Sequence, residues 1–271
     1  MQASYDQANK QSIFKHAQKL EGDSLRTAKL VKGMPKKYLA IKESAVSTKG
    51  VFGQMLEEYY FDIKPDNSSG KPDFPQVGVE LKTHPLKKNN NGELAAKERL
   101  VLGMIDFCTE AKKTFYTSTF YDKNQCILLI SYLYKQDQKP VDYKILGSNL
   151  VEYEKLPQLD REIIRQDWQI IHKKILAGQA HNLSGSDTNY LEACTKAANS
   201  KKLREQYGTS INAKPRAYAF KGGYMTTLSR RLLGKSNLDS IELSPQRVRS
   251  IGMDKAIEEA FQAYVGKTVD E

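Results

Sequence analysis

Residues 72–82 read Pro72-Asp73-Phe74-Pro75-Gln76-Val77-Gly78-Val79-Glu80-Leu81-Lys82, which sets an aspartate seven residues ahead of a Glu-x-Lys triplet on a predicted β-strand. Side chains alternate faces along a strand, so a strand over Val77–Thr83 turns Glu80 and Lys82 to one face and Val77, Val79 and Leu81 to a core on the other. Gly70, Pro72 and Pro75 imply a turn that carries Asp73 back toward that strand. The residue types suit phosphodiester hydrolysis. Asp73 and Glu80 supply carboxylates that hold Mg²⁺ while leaving sites for water and a phosphate oxygen. Lys82 supplies an ammonium to orient the attacking water and to steady the charge that develops on a pentacovalent phosphate.

Taken alone, Glu-x-Lys is the ordinary salt-bridged surface of a half-buried strand. The segment upstream sharpens the reading. In Lys49–Phe61 the apolar residues fall at 51, 52, 55, 56, 59 and 60, the period of a helix with one buried face. Glu57 stands toward the edge of that face, either as an exposed helix glutamate or as a third acid or base at the same site.

The string Lys49-Gly-x-x-Gly-Gln-x-Leu-Glu57, then Pro72-Asp73, then Gly78-Val79-Glu80-Leu81-Lys82-Thr83, resembles the active-site signature of the MutH group. That group joins the methyl-directed mismatch-repair endonuclease to restriction endonucleases that cut at GATC. Further along, Glu98–Leu102, Ile164-Arg165-Gln166-Asp167-Trp168, Tyr190-Leu191, Cys194–Asn199 and Lys221–Thr226 are similar to the catalytic half of the group's staphylococcal GATC-cutting restriction enzyme. The likeness spans roughly residues 40–235. It implies a PD-(D/E)xK core of the restriction-endonuclease type. Asp73, Glu80 and Leu81 are then expected at Mg²⁺, Lys82 at the nucleophilic water, Glu57 in the acidic cluster and Lys49 at its entrance. The resemblance places a base-reading loop at Cys194, Thr195, Lys196 and Ala197, with Lys196 contacting guanine O6 and N7. Cys194 and Thr195 depart from the Arg-Pro pair of the mismatch-repair branch, and Ala219 stands where that branch has a methylation-sensing aromatic. Both departures favour the restriction branch.

Charge agrees independently with a nucleic-acid partner. The formal net charge is +10, and between Cys194 and Lys235 ten basic residues face one acid, Glu205. This stripe is interleaved with Tyr207, Tyr218 and Tyr224, and it includes Arg216 and Lys221, two further expected DNA contacts. Such a stripe suits a groove that tracks phosphates; a solvated basic surface, an RNA site or a membrane-surface site would carry the same composition. Other chemistries find no support. Cys108, Cys126 and Cys194 lack zinc spacing and read as free thiols of a reducing cytoplasm. His16, His84, His172 and His181 lack metal-ligand spacing, and no apolar run approaches the roughly 20 residues of a membrane span. His84 follows the catalytic strand closely enough for a minor role, and Trp168 reads as core.

The chain is therefore expected to be one α/β (α+β) domain over residues 1–271, with a mixed central sheet flanked by helices and two lobes around a DNA cleft. The lobes are a catalytic one over 1–140 and a recognition one over 141–250, with a C-terminal helix over 251–271. Strands are expected at Val77–Thr83 and Cys126–Tyr134 and a helix at Ile163–Gly178, with loops at 64–71, 87–92 and 135–140. The function expected is a cytoplasmic type II restriction endonuclease that uses Mg²⁺ to hydrolyse double-stranded DNA at GATC, leaving 5′-phosphate ends. The alternatives are a mismatch-repair nickase of hemimethylated GATC with a MutL-type activator, and a non-catalytic GATC-binding module. The restriction enzyme it resembles carries a second, C-terminal copy of the fold beyond the point where this sequence stops, so the sequence reads either as an isolated catalytic domain or as a short relative; if a DNA-binding half is missing, weaker activity or dimerisation on DNA is expected.

Overall fold

A computed structural model of the chain describes residues 5–28, 34–40, 50–63, 70–196, 203–234 and 259. Lys49, Ala197 and, apart from Glu259, the expected C-terminal helix lie outside these residues. In chain order the elements are α1 (Lys10–Gln18), α2 (Lys36–Ala40), α3 (Val51–Tyr59), β1 (Glu80–Lys88), β2 (Leu94–Ala96), β3 (Leu100–Ile105), α4 (Phe107–Glu110), α5 (Thr119–Asn124), β4 (Cys126–Leu133) and β5 (Lys144–Glu152). They continue with α6 (Gln158–Leu176), β6 (Leu191–Thr195), β7 (Arg204–Gln206), β8 (Thr209–Ala213), β9 (Arg216–Phe220) and α7 (Gly222–Leu232). Contacts gather the chain into two compact units interleaved in sequence. One holds Met1–Leu100, Thr119–Val151 and Gly222–Ser236; the other holds Val101–Ser118, Glu152–Lys221 and Asn237–Glu271.

The first unit is built on a four-stranded mixed sheet in the order β2-β1-β4-β5. β1 runs antiparallel to β2 and parallel to β4, with Glu80 opposite Ile127 and Lys82 opposite Leu129. Parallel strands are covered on both faces, which is why Cys126-Ile-Leu-Leu-Ile-Ser-Tyr is apolar almost throughout and buried along its length. One face carries Val79, Leu81, Leu128 and Ile130, and α1 and α3 cover it with Ile13, Ala17, Val51, Phe52, Met55 and Leu56. Each fully buried large apolar side chain here contributes about 1.5–3 kcal/mol. α1 begins at Asn9, whose side chain accepts the Ser12 amide at 3.0 Å, an N-cap that satisfies one otherwise orphaned donor. The sheet's edges are occupied. At β2 the Ala96 amide donates to Thr226 Oγ1 (2.9 Å) and the Leu94 carbonyl accepts from Arg230 Nε (2.7 Å), both on α7. At β5 the Ile145 amide donates to the Asp23 carbonyl at 2.8 Å.

The second unit carries the three-stranded sheet β3-β9-β6 and the two-stranded β7-β8. α6 buries Leu159, Ile163, Ile164, Trp168, Ile171 and Ile175 along one stripe. It starts at Gln158, five residues before the expected Ile163, because Pro157 holds extended backbone and a full turn forms directly after it. It stops at Leu176, short of Gly178, whose φ of 66° leaves the helical region. Cys108, Cys126 and Cys194 are all free. Among the described residues no helix is long and apolar enough to cross a membrane.

β1 begins at Glu80 rather than Val77 because residues 74–79 form a tight turn. His84, on the same strand, is completely buried, and neither ring nitrogen has a hydrogen-bond partner. Burial without compensation pushes its pKa down to about 4, so the ring is neutral at neutral pH. Unpaired buried polar atoms cost about 1–3 kcal/mol. His84→Leu should therefore raise the free energy of unfolding by about 1–2 kcal/mol in urea titrations; a loss of comparable size would show that the imidazole has a bound partner in solution.

Candidate active site

The acidic site forms where β1 leaves the turn. Gly78 takes a φ of 64°, which glycine adopts without a Cβ penalty, and the Phe74 amide donates to the Val79 carbonyl at 2.8 Å. The chain doubles back, and Asp73 comes to lie beside the start of β1. Its Oδ2 accepts the Leu81 amide at 2.8 Å, while its own amide donates to Glu80 Oε2 at 3.2 Å. Each carboxylate is thus positioned by the backbone of the other's segment. Glu80 is 1% exposed, and its Oε1 receives the Lys82 ammonium directly. A second ammonium, that of Lys123, stands 3.4 Å from the same oxygen.

Glu57 reaches this group from α3. A Cβ added at Gly53, one turn earlier, would lie 3.2 Å from Thr83 Oγ1, so the glycine permits close packing of α3 on β1. Glu57 is accordingly pulled into the field of Asp73, Lys82 and Glu80. Asp73, Glu80, Leu81 and Lys82 are therefore brought together, and Glu57 is coupled to them through space. Among the described residues no three His, Cys, Asp or Glu side chains stand close enough together to hold a metal ion. The oxygen donors that do converge are the two carboxylates of Asp73 and Glu80. Mg²⁺ retains several waters and takes one or two protein carboxylates, so this hard, incomplete donor set fits it.

Lys123 is the residue the sequence reading missed. It lies on α5, four residues before Ile127, and Ile127 is the β4 residue opposite Glu80. A helix that feeds a parallel neighbour strand delivers its last turn to the start of the partner strand. The signal is therefore visible only once β1 and β4 are paired.

The residues expected to meet DNA fall mostly on the second unit. β6 and β9 run antiparallel, and Thr195 pairs with Arg216 at their shared end. Arg216 donates to Thr195 Oγ1 at 2.9 Å and to the Ala193 carbonyl at 3.3 Å, and its Nε is buried without a partner. Thr195 and Lys196 are exposed, as are Arg204 and Lys214. The Lys196 amide is anchored on the Pro215 carbonyl at 3.0 Å. Cys194, by contrast, is buried against Ala217, Ala219 and Val101. Lys221 turns inward, its ammonium donating to the Thr188 carbonyl. Arg230 belongs to the first unit and pairs with Glu93 at 3.0 Å.

Residues 61–167 match the family described as DNA mismatch repair enzyme MutH. The chain is 40% identical over 230 residues to the type II restriction enzyme Sau3AI of Staphylococcus aureus, covering 84% of this chain and 46% of that enzyme. It thus spans about half the length of that relative. It is 28% identical over 228 residues to the DNA mismatch repair protein MutH of Serratia proteamaculans, covering 82% of this chain and 93% of that protein. Against MutH of Escherichia coli the identity is 26% over 226 residues, covering 82% and 92%.

Burial raises the pKa of Glu57, and the negative charge of Asp73 adds to the rise. Burial also raises Glu80, against the lowering pull of Lys82. The folded chain holds these two protons more tightly than the unfolded chain does. In the absence of metal, their contribution to stability is therefore full below the ordinary glutamate pKa and is lost as pH rises through the folded-state values. Glu57→Gln removes one of the two groups. In urea titrations with chelator present, the variant should lose less stability than the parent between pH 5 and pH 7.5, and identical pH slopes would place Glu57 in ordinary solvent.

Proposed function

We propose that this chain, whose residues 61–167 match the MutH family model, is a Mg²⁺-dependent type II endonuclease that hydrolyses both strands of double-stranded DNA at unmethylated GATC, leaving 5′-phosphate ends. The observation that carries this reading is the convergence of Asp73 and Glu80 at the head of one strand, with two ammoniums, Lys82 and Lys123, on Glu80. Asp73, Glu80 and the Leu81 carbonyl would hold the cation, which when bound supplies Lewis acidity and a water of lowered pKa. A divalent cation there would add positive charge against an anionic phosphate.

The chain's own residues then divide the work. Lys82 orients the attacking water from its place beside Glu80. Lys123 adds a second positive charge against the phosphate as charge builds. Glu57, whose pKa burial and Asp73 raise, serves in its carboxylate form as the base that takes a proton from the water. At the end of β6, Lys196 donates to guanine O6 and N7 in the major groove, and Arg216, Arg204 and Lys214 bring charge for the phosphate backbone. A palindromic site cut on both strands presents two equivalent scissile bonds, so the chain acts as a dimer on DNA.

A second reading draws support from alignment extent. The match covers 93% of the Serratia mismatch-repair protein but 46% of the restriction enzyme. On that reading the chain nicks the unmethylated strand of hemimethylated GATC under a MutL-type activator. A purely binding module leaves the catalytic geometry without a use.

Digestion of matched duplexes carrying unmethylated, hemimethylated or fully methylated GATC, with Mg²⁺, separates these readings. Double-strand cuts in the unmethylated duplex are expected, with Asp73→Ala or Lys82→Ala lowering the single-turnover rate by roughly a thousandfold or more. Nicking confined to the hemimethylated duplex moves the assignment to mismatch repair. Absence of cleavage in all three, with GATC binding intact, overturns the enzymatic reading. A monomer that cuts both strands at full rate overturns the dimer.

A further inference from the structure

Among the carboxylates buried in the second unit are two that the chemistry above does not use, Asp167 and Glu110. Both are fully buried. Asp167 sits on the apolar stripe of α6, and it accepts three consecutive backbone amides. Its Oδ1 takes Asn189 at 2.8 Å, and its Oδ2 takes Tyr190 at 2.6 Å and Leu191 at 2.8 Å. Leu191 is the first residue of β6. Lys221, which directly follows β9, adds its charge nearby and donates to the Thr188 carbonyl, so the approach to β6 is fixed from a second side. Glu110 ends α4. Its Oε1 accepts the Tyr218 hydroxyl at 3.0 Å and the Trp168 indole N–H at 3.2 Å. Tyr218 lies in the middle of β9, opposite Ala193 of β6. Asp167 and Trp168, adjacent on α6, therefore connect one carboxylate to β6 and the other to β9.

A buried carboxylate costs several kcal/mol unless it is fully hydrogen-bonded, and apolar residues of similar size would stabilise the same core at least as well. What these groups provide is directional. A strand slipped by one residue places every side chain on the opposite face, and here such a slip would also break the three amide bonds to Asp167 and separate Tyr218 from Glu110. The two carboxylates thus accept one register of β6 against β9. That register sets the far end of the ribbon, about 13 Å along from Leu191, where Thr195 meets Arg216 and Lys196 emerges exposed.

We infer that Asp167 and Glu110 are positioning residues for DNA recognition: a two-carboxylate clamp that fixes the β6–β9 ribbon and so determines where Lys196 is presented to the bases. The inference rests on the assignment of Lys196 as a base contact. The clamp touches no DNA. It acts through strand register, so it governs discrimination between sequences rather than attraction to the backbone.

The test measures, on the full 271-residue chain with Ca²⁺ in place of Mg²⁺, the ratio of Kd for a scrambled duplex to Kd for a GATC duplex. Asp167→Asn removes the charge and turns an N–H donor toward one of the three amides, and Tyr218→Phe deletes only the hydroxyl that reaches Glu110. Both should lower the ratio, Asp167→Asn on the order of tenfold or more, while Kd for the scrambled duplex changes by less than about twofold. A merely structural role lowers the folded fraction and weakens both affinities alike, leaving the ratio unchanged. Lys196→Ala is the companion variant. If it collapses the ratio while Asp167→Asn and Tyr218→Phe leave it intact, the clamp is overturned and the assignment of Lys196 stands. If none of the three moves the ratio, the ribbon does not read sequence and both fall.

Discussion

The parallel pairing of β1 with β4 holds most of the first unit in place. Its register, Glu80 opposite Ile127 through Leu86 opposite Leu133, sets Val79 and Leu81 beside Leu128 and Ile130, and α1 and α3 cover this surface. The same register brings α5, which immediately precedes β4, to the head of β1 and so delivers Lys123 to Glu80. Core and site thus share one constraint. A slip of one residue would expose the apolar face and separate Glu80 from Lys123 together. Packing therefore protects the geometry that the chemistry needs.

The charges at that head are economical. Glu80 is almost wholly buried, and its desolvation is offset by Lys82, Lys123 and the Asp73 amide. Asp73 caps the Leu81 amide, a hydrogen bond to an ionised acceptor that is stronger than a neutral one. Glu57 is left with the least compensation, which is why burial and Asp73 together raise its pKa.

Much of this was legible in the sequence where the information is local. The period of Val51, Phe52, Met55, Leu56 and Tyr59 specifies α3, and Gly50 and Tyr60 bound it. The glycine and prolines around Asp73 specify a turn, and the unbroken apolar run from Cys126 specifies a strand covered on both sides. The start of β1 was misplaced by three residues because the turn uses 74–79, and alternation alone cannot separate a turn residue from a strand residue. Lys123, Asp167 and Glu110 were not legible as functional candidates. Each acquires its role from a partner at least 22 residues away in sequence, and a lone charged residue in a helix has no local mark.

Asp167 nevertheless leaves a trace that composition and motif searches pass over. On α6 it occupies a position one turn from Ile163, Ile164 and Ile171, where the helical period calls for an apolar side chain. Glu110 is likewise buried within a helix of only four residues. A sequence specifies one structure when pattern, propensity and packing agree, so a charged residue on a buried stripe is a local conflict that the fold must resolve with defined partners. Here the resolution is three amides in one case and a phenol and an indole in the other. These two exceptions to the apolar pattern thus mark strongly directional contacts. They fall on the helices beneath the ribbon that ends in Thr195 and Lys196, both exposed, and the half-buried Arg216 that holds Thr195.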